Sequence, residues 1–369
     1  MKQNFNQNNL INFSNSFLKH FGVPTFHESI KSVDDVLKGH QKVAVILFDG
    51  MGRNITRKHL TNKSYIRQHY LCTINSTFPP TTTAATTGFL TGKYPIETGW
   101  MSWAQYFDKY QRNIILFKNT DYNTEEKLEP SNIALTELPI KNILSLIKEN
   151  NEDVDAFTVA RKPVDPNGPK TLKGFETKIN KTLKRTKKCF VYYYFDSPDY
   201  EMHAYGIDDK RIHTYVKNIN DMVKRVAENN KDTIFFVFAD HGHINVKHFD
   251  ICDHSDLYSL LAKPISFEKR TPNFFVKEGK LEEFKNLFNK YYDRYFKLFS
   301  KQEVLDNELF GTGYINPKAV SFIGDFIAAS VSEYIIYASK EMKEVDLFKG
   351  HHAGMTEDEM LIDVSVYNV

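Results

Sequence analysis

Short apolar segments rich in β-branched and aromatic residues recur along the chain, and longer amphipathic segments separate them. Segments that are apolar at nearly every position are typical of strands buried on both faces of a mostly parallel sheet. The pattern therefore predicts strands at residues 42–48 (KVAVILF), 155–160 (DAFTVA), 189–195 (CFVYYYF), 233–239 (TIFFVFA) and 333–338 (EYIIYA).

The segment between the third and fourth of these strands has the periodicity of a helix. Its apolar residues recur with helical spacing; they are Ile212, Val216, Ile219, Met222 and Val223. A strand, a helix and a second strand in this order form a βαβ unit. We therefore predict an α/β protein, a three-layer α/β/α sandwich with a largely parallel central sheet.

Residues 267–310 interrupt this alternation. The segment is rich in Phe and Tyr at helical spacing, with many charged residues between them, which predicts a helical hairpin packed through its aromatic face. We expect a small inserted helical cap or lobe at 267–310. Residues 1–266 and 311–369 are then the core domain.

Composition and charge limit the classes of partner. The 369 residues are 41% hydrophobic and 25% charged, as in ordinary globular proteins, and the net charge of +2 gives no broad attraction to nucleic acid or to an anionic membrane. The basic run at 181–188 (KTLKRTKK) is a local exception. A solvated helix end explains that run more simply than an anion-binding patch.

The cysteines and the N-terminus indicate a compartment. Cys72, Cys189 and Cys252 are odd in number and far apart, which argues against a disulfide framework or a cysteine-based zinc site. The N-terminal segment lacks the apolar core of a signal peptide, and no run reaches the roughly 18 apolar residues of a membrane span. We predict a cytoplasmic protein.

Acidic residues and histidines follow three of the predicted strands, where open α/β sheets bind their ligands. These residues are Asp49 after the first strand, Asp196, Asp199 and His203 after the third, and Asp240, His241 and His243 after the fourth. One aspartate at a strand end is a common turn former or helix cap. Several carboxylates at one rim repel each other unless cations neutralise them. The pattern therefore predicts a metal site.

The residue types and their spacing suit a transition metal. Aspartate and histidine are good ligands for Zn²⁺, with Mn²⁺ and Fe as competitors. The four-residue step from Asp199 to His203 places both on one side of a helical turn, and Gly242 permits a sharp turn after His241. A second pair, His351 and His352, either lies in a surface loop or returns to the same rim. It precedes TEDE (356–359), a plausible capping box.

Five motifs in a fixed order carry a family likeness. They are Asp-Gly at 49–50, a threonine-rich segment from FP to TGKYP (78–95), PDYEMHAYG (198–206), DHG (240–242) and GHHAG (350–354). Together they resemble the alkaline phosphatase superfamily and, within it, the nucleotide pyrophosphatase/phosphodiesterase branch. The likeness spans residues 42–355.

The resemblance implies an enzyme with two divalent metal ions, zinc with manganese as the alternative, and a covalent phosphothreonine or phosphoserine intermediate. One ion would be bound by Asp199, His203 and His352. The other would be bound by Asp49, Asp240, His241 and the nucleophile. The family pattern gives His243 no metal role, so we expect it to make a local hydrogen bond.

Thr82 is the nucleophile that the resemblance implies. In this superfamily the nucleophile lies ten positions before the glycine that ends its helix, and counting back from Gly92 gives Thr82. A register through Thr77 leaves five surplus residues. A helix N-terminus stabilises an alkoxide and a bound phosphate, although helix capping alone also explains Thr81, Thr82 or Thr83. A threonine hydroxyl needs a metal to become a good nucleophile, so Thr82 is also expected to be a metal ligand.

One departure concerns the tryptophans. Trp103 stands where the branch has an asparagine that donates to phosphate, and Trp100 and Trp103 either stack on a flat ligand group or belong to the core.

The implied function is hydrolysis of a phosphodiester or a nucleotide pyrophosphate bond. The substrate is then a small-molecule phosphate ester or nucleotide, with no organic cofactor, no nucleic-acid polymer and no membrane. Alternatives are a phosphomonoesterase, a metal-dependent phosphosugar mutase or a non-catalytic phosphate-ligand binding protein. Sulfatase activity is disfavoured because Thr82 replaces the Cys or Ser that sulfatases oxidise.

Overall fold

The computed structural model describes residues 8–342 and 347–369. Within these residues, the strands in chain order are β1 (Lys42–Phe48), β2 (Tyr70–Asn75), β3 (Ala104–Phe107), β4 (Arg112–Ile115), β5 (Thr120–Asp121), β6 (Asp155–Ala160), β7 (Cys189–Phe195), β8 (Ile234–Phe238), β9 (Ile244–Asn245), β10 (Lys247–Asp250), β11 (Ser266–Phe267), β12 (Pro272–Phe274), β13 (Phe296–Ser300), β14 (Phe326–Ser330), β15 (Tyr334–Tyr337), β16 (Gly350–His351) and β17 (Leu361–Tyr367).

The helices connect these strands and pack on the sheets. In chain order they are α1 (Leu10–His20), α2 (Lys31–Leu37), α3 (Arg53–His59), α4 (Tyr65–Gln68), α5 (Thr82–Thr91), α6 (Pro95–Thr98), α7 (Ile133–Glu137), α8 (Ile143–Asn150), α9 (Leu172–Leu183), α10 (Asp199–Tyr205), α11 (Lys210–Asn229), α12 (Ser255–Tyr258), α13 (Leu281–Tyr292), α14 (Lys301–Asp306), α15 (Pro317–Phe322) and α16 (Glu357–Met360). None of the described helices combines the length and apolar character that a membrane crossing requires.

The central sheet has six strands in the order β2–β17–β8–β1–β7–β6. Strands β8, β1, β7 and β6 are parallel neighbours, with Val45 of β1 opposite Tyr192 of β7 and Phe236 of β8. The side chains of β1, β7 and β8 are mostly buried, as expected for strands covered on both faces. Strand β6 lies at the edge of the sheet and buries only its last two residues. The four strands predicted here from their apolar runs are therefore confirmed.

Helices cover both faces of this sheet. Phe13 of α1 packs on Phe236 and Phe238, whereas Phe175 of α9 packs on Tyr193 and Phe195. Successive residues of a strand point to opposite faces of the sheet, so Tyr193 and Phe195 point away from the face of Phe190. Phe190 contacts Phe17 of α1. Helices α1 and α9 therefore lie on opposite faces. The predicted helix of residues 212–223 is α11, and its apolar residues are buried. The three-layer prediction is confirmed.

Two features of the sheet prediction are wrong. The predicted strand at 333–338 forms β15, but β15 pairs with β10 in a separate two-stranded sheet. The edge of the central sheet is instead completed by β2 and by β17, which runs antiparallel to both β2 and β8. Residues of β17 alternate between buried and partly exposed, so β17 lacks the continuous apolar run used to identify the other strands.

The segment 267–310 is not a helical hairpin. It contains helices α13 and α14 with strand β13 between them, and β13 pairs antiparallel with β14. These strands belong to a seven-stranded second sheet, β13–β14–β12–β11–β3–β4–β5, which also draws on residues 104–121. The second sheet also includes strands that precede and follow residues 267–310 in the chain. The description of 267–310 as one inserted lobe remains a prediction.

The basic run at 181–188 lies at the far end of the strands from the predicted site. Helix α9 ends at Leu183 within this run, and β7 begins at Cys189 directly after it. Lys188 pairs with Asp153 on the surface. The run therefore plays no part in the cluster at the carboxyl ends of the strands.

Candidate active site

The carboxyl ends of β8, β1 and β7 bring three acidic loops together. The Asp49 amide donates to the Phe195 carbonyl at 2.9 Å, and the Asp199 amide donates to the Asp49 carbonyl at 3.1 Å. Asp240 Oδ1 accepts from the Gly50 amide at 3.1 Å. These contacts continue the sheet ladder into the loops, so the backbone itself fixes the positions of the carboxylates.

One set of possible ligand atoms joins Asp49, Asp240, His241 and Thr82. His241 Nε2 lies 3.3 Å from Asp49 Oδ1 and 3.6 Å from Asp240 Oδ2. Thr82 Oγ1 is 3.4 Å from each oxygen of Asp49 and 3.3 Å from His241 Nε2. Asp49, Asp240 and His241 are close enough to hold one metal ion together. This is the grouping that the family resemblance implied.

Thr82 reaches this set because α5 begins there. Thr81 is the N-cap residue, and the first helical hydrogen bond runs from the Ala85 amide to the Thr81 carbonyl at 2.9 Å. Thr77, the rejected alternative, directs its hydroxyl to the Pro79 carbonyl at 3.3 Å. The structure thus brings Thr82, and not Thr77, to the carboxylates.

A second set surrounds the Asp199 carboxylate. His203, one turn along α10, has Nε2 3.3 Å from Asp199 Oδ2. His243 Nε2 and His352 Nε2 lie 3.4 and 3.7 Å from Asp199 Oδ1. Asp199, His203 and His243 form one possible metal group, and Asp199, His241 and His352 form another. The expected trio of Asp199, His203 and His352 is therefore present around one carboxylate, but His243 is nearer to it than His352.

Three of these histidines are oriented by the backbone. His203, His241 and His352 each place Nδ1 within 2.9–3.0 Å of a carbonyl oxygen, those of Gly350, Gly242 and Pro80 respectively. An Nδ1–H that donates to a carbonyl leaves the Nε2 lone pair free on the other side of the ring. In the neutral form that metal binding requires, each of the three rings would direct the Nε2 lone pair toward the carboxylates.

Burial makes the charges of the cluster interdependent. Burial and the neighbouring Asp49 raise the pKa of Asp240 well above its ordinary range. Burial opposes a charged His241, but Asp240 and Asp49 outweigh it and raise the pKa of His241 to about 10. Burial also works against the Asp199 carboxylate, yet His203 and His352 bring its pKa well below the ordinary value. The carboxylates thus need positive charge nearby.

Unpaired oxygen atoms test whether divalent cations fit this site. Asp199 Oδ1 and Asp240 Oδ2 are buried and accept no hydrogen bond from the described residues. A buried carboxylate oxygen without a partner is costly, and each of these oxygens faces a histidine Nε2 at 3.4–3.7 Å. Oxygen and imidazole donors of this kind match the preferences of Zn²⁺ and Mn²⁺. The residues fit metal ions.

The sequence comparison gives the same result as the geometry. A family model described as Type I phosphodiesterase / nucleotide pyrophosphatase matches residues 43–355, a span that contains every residue of the two sets. The chain belongs to this family. It is therefore a metal-dependent hydrolase that acts on phosphoric ester bonds. Comparison with curated protein sequences finds no match.

Solved structures of family members share the fold. Murine ectonucleotide pyrophosphatase/phosphodiesterase 5 superposes with a TM-score of 0.65 at 15% identity over 88% of each chain. Its inactive threonine-to-alanine variant in complex with AMP gives 0.64 at 15% identity, again over 88% of each chain. The human protein gives 0.64 at 15% identity over 89% of this chain and 88% of its own. The alkaline phosphatase-like fold is therefore shared.

The tryptophans have separate environments. Trp100 is buried and donates from Nε1 to the Leu138 carbonyl at 3.0 Å, so it belongs to the core of the second sheet. Trp103 is partly exposed, and Lys118 Nζ lies 5.5 Å from the centre of its ring. Of the two residues, Trp103 is the more exposed.

Two residues near the site were not found from the sequence. The Tyr194 hydroxyl donates to Asp49 Oδ2, and Glu268 Oε1 accepts from the Trp103 amide at 2.7 Å. Burial raises the pKa of Glu268 to about 7, with the Thr81 hydroxyl beside it. Tyr194 lies in an apolar strand, where the sequence pattern predicts core residues. Glu268 lies in a turn that matches no known motif. Tyr194 could have been identified only if the face of β7 that lies next to Asp49 had been known.

Proposed function

We propose that this chain cleaves a phosphodiester or nucleotide pyrophosphate bond through a covalent intermediate on Thr82. The observation that carries the proposal is the position of the Thr82 hydroxyl, 3.4 Å from both Asp49 oxygens and 3.3 Å from His241 Nε2. A hydroxyl at this distance from candidate ligand atoms of both Asp49 and His241 can itself be a ligand. Thr82 is then both nucleophile and fourth member of the Asp49 set.

The first step exchanges one ester bond for another. Thr82 Oγ forms a bond to phosphorus while the bond from phosphorus to the leaving oxygen breaks, and the hydroxyl proton passes to the Asp49 carboxylate that accepts its hydrogen bond. Water then cleaves the threonine ester and restores the hydroxyl. Divalent ions, when bound, supply positive charge that favours the alkoxide and the leaving oxygen.

The N-terminus of α5 is the proposed phosphate contact. The Thr82, Thr83 and Ala84 amides precede the first helical hydrogen bond and are free to donate, and the helix dipole favours an anion there. This contact takes the place of the asparagine that the family pattern has at Trp103. The Trp103 amide does not serve, because Glu268 accepts its hydrogen bond.

We propose two ions, one at Asp49, Asp240 and His241 and one at Asp199, His203 and His352, with zinc as the metal. The donor chemistry of Asp and His supports zinc over magnesium. A nucleotide is the proposed substrate class, because a variant of the murine relative has been obtained with AMP. The unpaired cysteines support a reducing, cytoplasmic location.

Isosteric variants of neighbouring threonines test the mechanism. Thr82→Val removes the proposed nucleophile, and Thr83→Val removes an adjacent buried hydroxyl that has no hydrogen-bond partner among the described residues. With the metal-loaded protein and bis(p-nitrophenyl) phosphate, we expect Thr82→Val to lower kcat by about 10³-fold or more. Thr83→Val should stay within about threefold, since such a buried hydroxyl contributes little.

Acid quenching during turnover should trap an ester on the peptide that contains Thr82, detected by mass spectrometry. Hydrolysis by Thr82→Val at the rate of the unmodified protein would refute the nucleophile. Full activity after exhaustive metal removal would refute the metal sites.

A further inference from the structure

His243 is the buried histidine that the family pattern does not use. Its side chain is fully buried, and neither ring nitrogen forms a hydrogen bond with a described residue. The Ile244 backbone lies near the ring without a well-formed hydrogen bond. The expectation of a local hydrogen-bonding role stays a prediction. A buried imidazole with two unpaired nitrogens is costly unless another group satisfies one of them.

The His243 ring points to the Asp199 carboxylate. Its Nε2 lies 3.4 Å from Asp199 Oδ1, close to the 3.3 Å that separates His203 Nε2 from Asp199 Oδ2. Ligand atoms about 2.0–2.2 Å from a tetrahedral zinc ion are about 3.3–3.6 Å apart. His203 and His243 each lie at this spacing from one oxygen of Asp199, and the three residues form one possible metal group.

The surrounding chain keeps this orientation of the ring. A Cβ atom on Gly350 would lie 2.7 Å from His243 Cε1 and 2.9 Å from Nδ1, so the glycine leaves the space that the imidazole occupies. Gly350 also supplies the carbonyl that orients His203. Gly350 therefore helps to orient both His203 and His243 toward the Asp199 carboxylate.

We propose that His243 is a protein ligand, through Nε2, of the ion bound by Asp199 and His203. The inference rests on the metal site of the proposed function and adds a ligand that the family pattern lacks. Asp199 and His203 come from α10, and His243 comes from the loop after β8. His352 Nε2 lies 3.7 Å from Asp199 Oδ1, and the His352 ring stacks on the His241 ring at 3.8 Å.

Measurement of zinc affinity distinguishes a metal-binding role of His243 from a purely structural one. His351 is the matched control, because it is also buried and its ring centre lies 4.9 Å from that of His203, yet its Nδ1 accepts from the His352 amide at 2.9 Å. Apo forms of the unmodified protein, His243→Ala, His243→Gln and His351→Ala would be titrated with Zn²⁺ against a chromophoric chelator. Circular dichroism would verify the fold of each variant.

We expect two ions in the unmodified protein and in His351→Ala. Both His243 variants should keep one ion and lose affinity for the other by at least about 100-fold. The Co²⁺-loaded protein should change its visible absorption spectrum with His243→Ala, and added imidazole should restore the spectrum by filling the space left by the side chain.

Three results would overturn the proposal. The first is unchanged affinity for both ions in the folded His243 variants, and the second is an unchanged cobalt spectrum. The third is an equal loss in His351→Ala, which would indicate a packing effect. An unmodified protein that binds no ion would instead overturn the proposed function together with this inference.

Discussion

The Tyr194 hydroxyl of β7 donates a hydrogen bond to Asp49 Oδ2, at the end of the neighbouring strand β1. The partly buried Tyr194 lies beside a carboxylate that also faces His241 and Thr82. A hydrogen bond of this kind fixes the orientation of a metal-binding carboxylate. Tyr194 thus positions Asp49.

Tyr194→Phe should therefore weaken the Asp49 metal site. Loss of a group that orients a metal ligand costs about 10–100-fold in metal affinity or activity, and we expect kcat/KM to fall by that factor at limiting zinc. Excess zinc should restore part of the lost kcat/KM. If the substitution only disturbed packing, excess zinc would not restore it. Tyr193→Phe is the control, because Tyr193 faces Phe175 on the other side of the sheet and its hydroxyl has no described partner. Equal losses in both variants would contradict the positioning role.

Metal removal should lower the free energy of unfolding, and it should do so less in Asp240→Asn than in the unmodified protein. Without ions, Asp49 and Asp240 repel each other in a buried site, so Asp240→Asn should raise the stability of the apo protein on the order of 1 kcal/mol. The Asn oxygen can still accept from the Gly50 amide as Asp240 Oδ1 does.

Zinc at about 100 times its Kd should add about 2.7 kcal/mol per site to the unmodified protein, and less to Asp240→Asn. Denaturant unfolding with and without zinc measures both effects. An apo Asp240→Asn protein less stable than the unmodified one would show that the repulsion is unimportant.

Arg270 and Glu359 form a fully buried ion pair that connects the second sheet to the segment after His352. Arg270 Nε and Nη2 donate to the two Glu359 oxygens at 2.5 and 2.8 Å, and Glu359 also accepts from the Gly354 amide at 2.7 Å. Arg270→Met should cost about 3–5 kcal/mol, because it leaves a buried carboxylate without its cation.

Adding Glu359→Gln should recover part of that loss, since the neutral amide can still accept from Gly354. Urea unfolding of the two single variants and the double variant gives the coupling. Purely additive effects would indicate that the charge pairing is unimportant.

Glu341 should make stability depend on pH. Burial raises the pKa of Glu341 from 4.5 to about 7, so the folded protein retains a proton that the unfolded chain has lost between these values. The unfolded chain then binds fewer protons, and stability falls as the pH rises from about 4.5 to 7.

Glu341→Gln stays neutral and can still accept the Ile265 amide, which Glu341 Oε2 accepts at 3.0 Å. The variant should match the unmodified protein at pH 5 and exceed it on the order of 1–3 kcal/mol at pH 8. Urea unfolding of metal-free protein across this range provides the measurement, and a constant difference between pH 5 and pH 8 would refute the assignment.

The central sheet could be predicted because its middle strands are buried on both faces and are apolar almost without interruption. The ligand residues at the strand ends followed from that placement, as Asp49 and Asp240 illustrate. Strand β17 was missed because it carries Asp363 and Ser365 among its apolar residues, which is normal for a strand near the sheet edge. Strand β15 was misplaced because an apolar run does not say which sheet it joins.

Residues whose role depends on contacts distant in sequence could not be predicted. The sequence predicts that Thr356 and Glu359 form a local capping box. Thr356 is the N-cap residue of α16 but makes no side-chain cap hydrogen bond; its hydroxyl instead donates to Glu359 at 2.6 Å. The main partner of Glu359 is nevertheless Arg270, 89 residues away. In the same way, the orientation of His243 depends on Gly350, a residue with no side chain that a motif could reveal.

The position of the turn between β11 and β12 has a consequence for how the enzyme could diversify. Glu268 and Thr271 at the ends of this turn bring the second sheet to the Trp103 amide and to the Ala353 carbonyl, next to His352. The candidate metal ligands and Thr82, in contrast, lie at the carboxyl end of the central sheet and at the start of α5. A substitution in the second sheet can therefore alter the surroundings of Trp103 and His352 without replacing a candidate ligand of the central sheet.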